Sequence, residues 1–250
     1  MQGLSPLALS SDIALSLGGE ASDCDPGALQ ARVPRSTNAV TVIEVYADIW
    51  CPFAHVGLRS VFQRRNELGR DDVVIRVRAW PLELVNAAPL DVTSTAEHVN
   101  DLRTQVAPKL FSHFDADHFP RTSLPALALA AAAYRQSDKQ GEAVSLALRN
   151  ALFEEARDIS QPAVLESVAS ACDVDGPDAE DSEAVRADWH QGASRGVKGS
   201  PHFFCGEVEA FCPLLDISKD EKGHLHIRQN VETLAWFLTE CFKQLPGSVG

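Results

Sequence analysis

The hydrophobic pattern of the chain is clearest between residues 40 and 80. Residues 40–47 form a largely apolar, β-branched run, which is typical of a buried strand. Apolar residues then recur at helical spacing through 53–69, and this pattern ends near a glycine. Residues 73–80 alternate Val and Ile with Arg and stop before Pro81, as a second strand would. A strand, a helix and a strand in this order predict a βαβ unit with parallel strands.

From residue 91 to residue 191 the chain is rich in Ala, Leu and charged residues at helical spacing. The pattern predicts helices at 125–134, 141–156, 161–171 and 183–195. An acidic connector with Gly and Pro, 173–183, precedes the last of them. The first of these helices is almost entirely Ala and Leu, so we expect it to pack closely on its neighbours.

Strand patterns return near the C-terminus. Two apolar stretches, 202–205 and 211–217, flank the residues 206–209, which predicts a β-hairpin with a four-residue turn. Residues 224–227 predict a short edge strand, and residues 230–245 predict an amphipathic closing helix. The element order predicts an α/β fold with a helical insertion in its middle.

Composition and charge narrow the functional classes. The 250 residues are 45% hydrophobic and 23% charged, as in an ordinary globular chain. The formal net charge of −13 argues against binding to nucleic acid or to an anionic membrane, because both need clustered basic residues. The sequence shows neither a secretory signal nor an apolar stretch approaching the roughly 20 residues of a membrane span. We therefore expect a cytoplasmic protein.

The six cysteines match no standard framework. No two of them are separated by only two residues, so the chain has neither a zinc knuckle nor a Cys-x-x-Cys redox pair. The polar cluster at 113–118 contains metal-ligating residue types, but its spacing fits no known metal loop. It predicts a solvated turn, and we expect no metal site.

Cys51 stands between the first predicted strand and the first predicted helix. Unpaired N–H groups and the positive end of the helix dipole stabilise a thiolate there, which predicts a lowered pKa and a reactive thiol. Pro52 suits the first helical position, where no N–H is needed. His55 lies one turn further on and would add positive charge when protonated. The alternative is that Cys51 is a buried apolar residue.

Two segments carry a resemblance to a known family. Residues 48–55, Asp-Ile-Trp-Cys-Pro-Phe-Ala-His, resemble the Cys-Pro-x-Cys active-site turn of the DsbA-like branch of the thioredoxin superfamily. Residues 196–204, Gly-Val-Lys-Gly-Ser-Pro-His-Phe-Phe, resemble the cis-proline loop of that branch. The resemblance covers most of residues 40–245. It is closest to the group related to 2-hydroxychromene-2-carboxylate isomerase and kappa-class glutathione transferase.

The resemblance implies a thioredoxin fold with an all-helical domain inserted between its βαβ and ββα halves. The thioredoxin-like domain would then consist of residues 39–90 and 196–250, and the inserted domain of residues 91–195. Residues 1–38 are rich in Ser, Gly, Ala, Asp and Pro and lack sustained periodicity, so we expect a flexible leader.

The resemblance also implies the roles of site residues. Cys51 would be the nucleophile. Pro201 would follow a cis peptide beside it and leave the Ser200 backbone free to pair with a peptide or thiol substrate; an ordinary trans proline at a strand start is the alternative. Three neighbours of Cys51 are further candidates for substrate binding, although core packing is the default for the aromatic ones: Trp50, Pro52 and Phe53.

The chain departs from the family at Ala54, which replaces the second active-site cysteine. That cysteine resolves the mixed disulfide formed at the first one, so Cys51 would need another thiol. We expect glutathione or mycothiol as a co-substrate and no tightly bound cofactor. Cys205 lies about 13 Å along a strand from Pro201, beyond disulfide reach. Cys24, in the leader, is the remaining candidate within the chain.

The other cysteines have structural explanations. A four-residue hairpin turn would pair Cys205 with Ala210 and leave Cys212 diagonal, whereas a longer loop would bring the two cysteines opposite each other. A disulfide across the hairpin and two buried thiols both remain open. Cys172 and Cys241 fall within predicted helices and are expected in the core.

Three functions are compatible with these features. The first is a thiol–disulfide oxidoreductase that acts through Cys51, with electrostatic support from His55. The second is a thiol-dependent isomerase or transferase; relatives of this kind generally carry Ser where Cys51 stands, so the cysteine favours redox chemistry. The third is a non-catalytic binding protein with the same fold. The expected partner is a small-molecule thiol or a disulfide-containing substrate.

Overall fold

The computed structural model describes residues 40–221 and 224–243. The predicted leader, including Cys24, lies outside the described residues. The strands are β1 (Thr41–Ala47), β2 (Val73–Ala79), β3 (His202–Cys205), β4 (Val208–Phe211), β5 (Leu215–Lys219) and β6 (Leu225–Gln229). The helices are α1 (Pro52–Glu67), α2 (Leu82–Val85), α3 (Val92–Gln105), α4 (Leu124–Gln136), α5 (Asp138–Phe153), α6 (Pro162–Ala171), α7 (Ala179–Arg195) and α8 (Val231–Lys243).

The main sheet has the strand order β2-β1-β3-β4. β1 and β2 are parallel, which confirms the predicted βαβ unit, and β3 is antiparallel to both β1 and β4. β5 and β6 pair separately as an antiparallel hairpin. The predicted α/β fold is confirmed, and α3 to α7 all lie within the segment predicted as an insertion.

The hairpin between β3 and β4 is tighter than the sequence predicts. Its turn consists of two residues, Gly206 and Glu207, because β4 already begins at Val208. Gly206 has a φ of 56°, a left-handed conformation that glycine adopts without steric cost. Cys205 therefore faces Val208, and the prediction that the turn occupies 206–209 is wrong.

The second apolar stretch predicted in this region divides between two sheets. Phe211 ends β4, whereas β5 begins at Leu215 and pairs with β6. The N–H of Leu215 donates to the carbonyl of Cys212, which turns the chain between the two strands.

The last helix of the insertion starts earlier than predicted, at Ala179 rather than at residue 183. Asp178 caps it by accepting hydrogen bonds from the N–H groups of Glu180 and Asp181, while the Asp181 carboxylate accepts the N–H of Asp178. This reciprocal capping box explains why acidic residues that suggested a connector open a helix instead.

Side chains of the helical segment cover the outer edge of β2. The Tyr134 hydroxyl accepts the N–H of Val77 and donates to the carbonyl of Ile75, each at 3.0 Å. Glu142 accepts the N–H of Ile75 at 2.8 Å. Further along, Asp188 accepts the N–H of Ala79 at 3.0 Å. The backbone groups of an edge strand are thus satisfied by α4, α5 and α7.

We predict that Tyr134→Phe lowers the free energy of unfolding by about 2–3 kcal/mol, because two backbone groups at a covered edge lose their partner. Chemical denaturation monitored by circular dichroism measures this change. Tyr46→Phe is the control, since the Tyr46 hydroxyl bonds to the side chains of Gln191 and Arg195 and not to backbone groups. Equal losses in the two variants would contradict the role assigned to Tyr134.

Candidate active site

Cys51 caps the N-terminus of α1, and Pro52 is the first residue of the helix. The thiol donates a hydrogen bond to the carbonyl of Ser200, with a distance of 3.1 Å from Sγ to oxygen. The side chain is almost completely buried, with 4% of the residue exposed. The predicted position of Cys51, at a strand-to-helix junction, is therefore confirmed.

The loop before β3 faces Cys51 as expected. The Ser200–Pro201 peptide is cis, which confirms that prediction. The Ser200 hydroxyl accepts the N–H of Asp48 at 2.9 Å, so this loop is bonded to the end of β1 as well as to the thiol. The Ser200 carbonyl is engaged by Cys51 in this structure.

The pKa of Cys51 moves in the direction opposite to the prediction. Burial raises the pKa of the thiol, and the negative charge of Asp48 raises it further. The Ser200 hydroxyl and the N–H groups of Phe53 and Ala54 lower the pKa, as a helix N-terminus should, but they do not outweigh burial. The expectation of a depressed pKa is wrong, because the sequence indicates the helix end and not the depth at which the sulfur is buried.

Two buried groups of opposite charge, Asp48 and Arg149, lie near the thiol. Asp48 and Arg149 are both fully buried, and the Arg149 guanidinium donates to the Asp48 carbonyl at 3.1 Å. Burial raises the pKa of Asp48 to about 6 and lowers the pKa of Arg149 to about 10. The Asp48 carboxylate accepts the N–H of Leu82 at 2.6 Å. The sequence analysis assigned no role to either group: Asp48 appears there only as the first residue of the segment 48–55, and an arginine in an apolar stretch of α5 was the only signal for Arg149.

His55 does not supply the positive charge proposed for it. Its ring is fully buried between Phe111 and Phe153, and Nε2 lies 2.7 Å from Oε1 of Glu154. Burial lowers the pKa of His55 despite the nearby carboxylate, and Nδ1 has no hydrogen-bond partner to share a second proton. The neutral ring therefore donates from Nε2 to Glu154 and anchors α1 to the end of α5.

The Glu154 carboxylate holds several segments together. Partial burial raises the pKa of Glu154, but the hydrogen bond from His55 and the N–H groups of Phe111 and Ser112 outweigh this effect and lower the pKa below its ordinary value. Glu154 is therefore ionised at neutral pH.

The candidate substrate-binding residues separate into two groups. Phe53 and Ser200 are partly exposed, and the Phe53 ring packs on His98 with 5.3 Å between ring centroids. Pro52 and Pro201 are buried. Trp50 is fully buried and stacks on Phe119 at 5.7 Å, so it shapes the core below the site and offers no surface to a substrate.

No disulfide joins the cysteines in residues 40–221 and 224–243. Cys205 of β3 forms a thiol hydrogen bond with Cys241 of α8 instead of facing Cys212. Cys172 is half-buried at the C-terminal end of α6, and so lies less deep than predicted. Cys212 follows β4, and its N–H donates to the carbonyl of Pro201 at 3.0 Å.

The described part of the chain contains no group of three or more His, Cys, Asp or Glu residues arranged to hold a metal ion. The polar cluster at 113–118 includes an exposed pair, His118 and Asp115, which are 2.8 Å apart across a 3₁₀ turn. This arrangement is the predicted solvated turn. None of the helices within the described residues has both the length and the apolar character of a membrane span.

Comparison with solved structures identifies the fold. A protein from Nitrosomonas europaea, provisionally assigned as a protein disulfide isomerase, is 15% identical with a TM-score of 0.59, covering 82% of this chain and 98% of its own. The cytosolic disulfide reductase DsbM from Pseudomonas aeruginosa is 15% identical with a TM-score of 0.52, covering 81% and 99%. A 2-hydroxychromene-2-carboxylate isomerase is 16% identical with a TM-score of 0.51, covering 68% and 88%. These similarities show a shared fold.

Comparison at the level of sequence identifies the family. No curated protein sequence matches the chain. A family model described as the DSBA-like thioredoxin domain matches residues 42–217, which include both Cys51 and the Ser200–Pro201 loop. The chain therefore belongs to the DsbA-like family of thioredoxin-fold proteins.

Proposed function

We propose that this protein is a thiol–disulfide oxidoreductase whose nucleophile is Cys51. The observation that carries the proposal is the hydrogen bond from the Cys51 thiol to the Ser200 carbonyl, 3.1 Å long, in a chain of the DsbA-like family. This bond holds the sulfur at the N-terminus of a helix and against the loop expected to receive a substrate. A cysteine that served only for packing would not need to be at that junction.

The partly exposed residues around the thiol provide a binding surface. A substrate disulfide would displace the Cys51 thiol from the Ser200 carbonyl and use that carbonyl as an acceptor. The Phe53 ring, beside His98, offers an apolar contact to the substrate. Pro52 and Pro201 are buried and hold the two backbones that form the site.

The raised pKa slows the proposed chemistry without preventing it. Each unit by which the pKa exceeds the ambient pH reduces the thiolate fraction about tenfold, but the remaining thiolate becomes roughly threefold more nucleophilic. The net loss is therefore about three- to fourfold per unit. The N–H groups of Phe53 and Ala54 stabilise the thiolate once it forms.

The reaction proceeds by successive thiol–disulfide exchanges. The Cys51 thiolate attacks one sulfur of the substrate, forming a mixed disulfide and releasing the other sulfur as a thiolate. Because Ala54 carries no thiol, two molecules of an external thiol such as glutathione or mycothiol are then consumed. The two external thiol molecules leave joined to each other as a disulfide. Cys51 and both halves of the substrate end as free thiols. A cytoplasmic location, where such thiols are abundant, stays a prediction.

We predict that Cys51→Ser reduces glutathione-coupled turnover of hydroxyethyl disulfide to below about 1% of the wild-type rate, because the attacking thiol is lost. Cys172→Ser, a change at a half-buried cysteine at the end of α6, is the control and should retain activity. Full activity of Cys51→Ser would refute the proposal. Turnover of an electrophilic aromatic substrate with glutathione, without disulfide turnover, would favour the thiol-dependent isomerase or transferase instead.

We predict that Asp48→Asn lowers the pKa of Cys51 and speeds its alkylation by iodoacetamide at pH 7 about two- to fourfold, because a negative charge that opposes the thiolate is removed while the thiolate becomes somewhat less nucleophilic. Asp48 is ionised above about pH 6, so its charge opposes the thiolate throughout the neutral range. The wild-type rate should continue to rise through pH 9 without a plateau.

Asp188→Asn is the matched control for this measurement. Asp188 is also a carboxylate whose pKa is raised by burial, and it accepts a backbone N–H at the end of β2. It is not among the groups that shift the pKa of Cys51. Equal effects of the two substitutions, or slower alkylation in Asp48→Asn, would contradict the assigned influence of Asp48.

A further inference from the structure

A second cysteine lies at the loop that holds Cys51. The Cys51 thiol donates to the carbonyl of Ser200 at 3.1 Å, and the N–H of Cys212 donates to the carbonyl of Pro201 at 3.0 Å. The two cysteines are therefore bonded to the carbonyls of consecutive residues. Neither bond could be foreseen from the separation of the cysteines in the sequence.

The strand topology brings these cysteines to one end of the sheet. Tyr46 near the end of β1 pairs with His202 at the start of β3, and His202 pairs with Phe211 at the end of β4. The end of β1, the start of β3 and the end of β4 therefore form one row across the sheet. Cys51 follows β1 just beyond this row, and Cys212 follows β4 by one residue.

Cys212 is held in an unusual backbone conformation. Its φ of 45° is in the left-handed region, which a residue with a side chain rarely adopts. Its N–H bonds to Pro201 and its carbonyl accepts the N–H of Leu215 at 3.1 Å, so its backbone is fixed on both sides. Only 8% of the residue is exposed.

The charge of Cys51 also acts on Cys212. Burial and the negative charge of a Cys51 thiolate together raise the pKa of Cys212 to about 12. When Cys51 is held in a mixed disulfide, that charge is absent, and one of the two causes that oppose a thiolate at Cys212 is removed. Burial then remains as the cause that opposes a thiolate at Cys212.

We propose that Cys212 is the resolving cysteine for Cys51 and substitutes for the thiol that Ala54 lacks. This inference rests on the proposed function. In the mixed disulfide, the Cys212 thiolate attacks Sγ of Cys51, the Cys51–substrate bond breaks, and the substrate leaves as a thiolate that takes up a proton. The product is a Cys51–Cys212 disulfide. Two molecules of the external thiol then reduce it and leave as their own disulfide, so the external thiol acts after the substrate has been released.

The remaining cysteines of the described chain are less well placed. Cys205 is engaged with Cys241, and Cys172 lies at the end of α6. The charge of Cys51 is among the causes that shift the pKa of Cys212, but not among those that shift the pKa of Cys205 or Cys241. Cys205 and Cys241 do, however, form a second thiol pair, so a count of oxidised thiols alone would not identify the disulfide. The linked peptides must be mapped.

The first arm of the test maps the disulfide in the wild-type chain. The reduced protein is treated with one equivalent of glutathione disulfide, quenched in acid, alkylated, and digested with trypsin and a protease specific for Glu. Cleavage after Glu207 or Glu209 separates Cys205 from Cys212, which share one tryptic peptide. We expect a linked Cys51–Cys212 peptide as the main product. A Cys205–Cys241 link in its place would overturn the inference.

The second arm compares Cys212→Ser and Cys212→Ala with Cys205→Ser. An intramolecular thiol acts at an effective concentration of about a millimolar or more. With free glutathione removed after the mixed disulfide has formed, the Cys51–glutathione mixed disulfide should therefore persist in both Cys212 variants and be lost to a Cys51–Cys212 disulfide in the wild type and in Cys205→Ser. Circular dichroism checks that the variants are folded. The disulfide mapping in the first arm uses the wild-type chain, so its result does not depend on the folding of any variant.

The outcomes separate this inference from the proposed function. If a mixed disulfide forms at Cys51 and decays equally fast in the wild type and the Cys212 variants, Cys212 does not resolve it and the proposed function stands. If no mixed disulfide forms at Cys51 in any variant, the proposed function itself fails. Persistence of the mixed disulfide only in the Cys212 variants supports both.

Discussion

Asp48 makes the interaction on which the geometry of the site depends. Its N–H, carbonyl and carboxylate bond to Ser200, Arg149 and Leu82, three residues that are far apart in the sequence. The loop before β3, the helix α5 and the segment after β2 therefore meet at the end of β1, three residues before Cys51. Hydrogen bonds to charged groups contribute about 1.5–3 kcal/mol each, yet burial still raises the pKa of Asp48 to about 6. The network positions the thiol, but it also keeps the charged carboxylate of Asp48 buried.

Two opposing effects act on Cys51. A helix N-terminus stabilises a negative charge by about 0.3–1 kcal/mol at an exposed position and by up to about 2 kcal/mol when partly buried. Removing the sulfur from water opposes this, and here the desolvation is the larger effect. The position at a helix end can be predicted from Pro52 and the preceding strand. The depth of the sulfur cannot, because it is created by side chains such as Trp50 and Arg149 that reach the site from different elements.

Local signals account for most of what could be predicted. The β-branched run of β1, the spacing in α1 and the alternation in β2 each depend on neighbouring residues, and all three elements were confirmed. The turn at Gly206 and the capping box at Asp178 were misjudged, because acidic and glycine residues suit both loops and element ends. The proximity of Cys212 to Cys51 depends on strand register, which no local pattern determines. The neutral state of His55 depends on Glu154, 99 residues away along the chain.

The cover over β2 has a consequence for folding and association. An uncovered edge strand presents a row of N–H and carbonyl groups that can recruit the strand of another molecule. In this protein Tyr134, Glu142 and Asp188 occupy those groups, and all three belong to helices between the two halves of the sheet. A shortened chain in which β2 is joined directly to β3 would keep the strands of the main sheet, but it would expose the unpaired N–H and carbonyl groups of β2 to other molecules. By occupying the backbone groups of β2, the helical segment opposes aggregation through this edge of the sheet, independently of any role in catalysis.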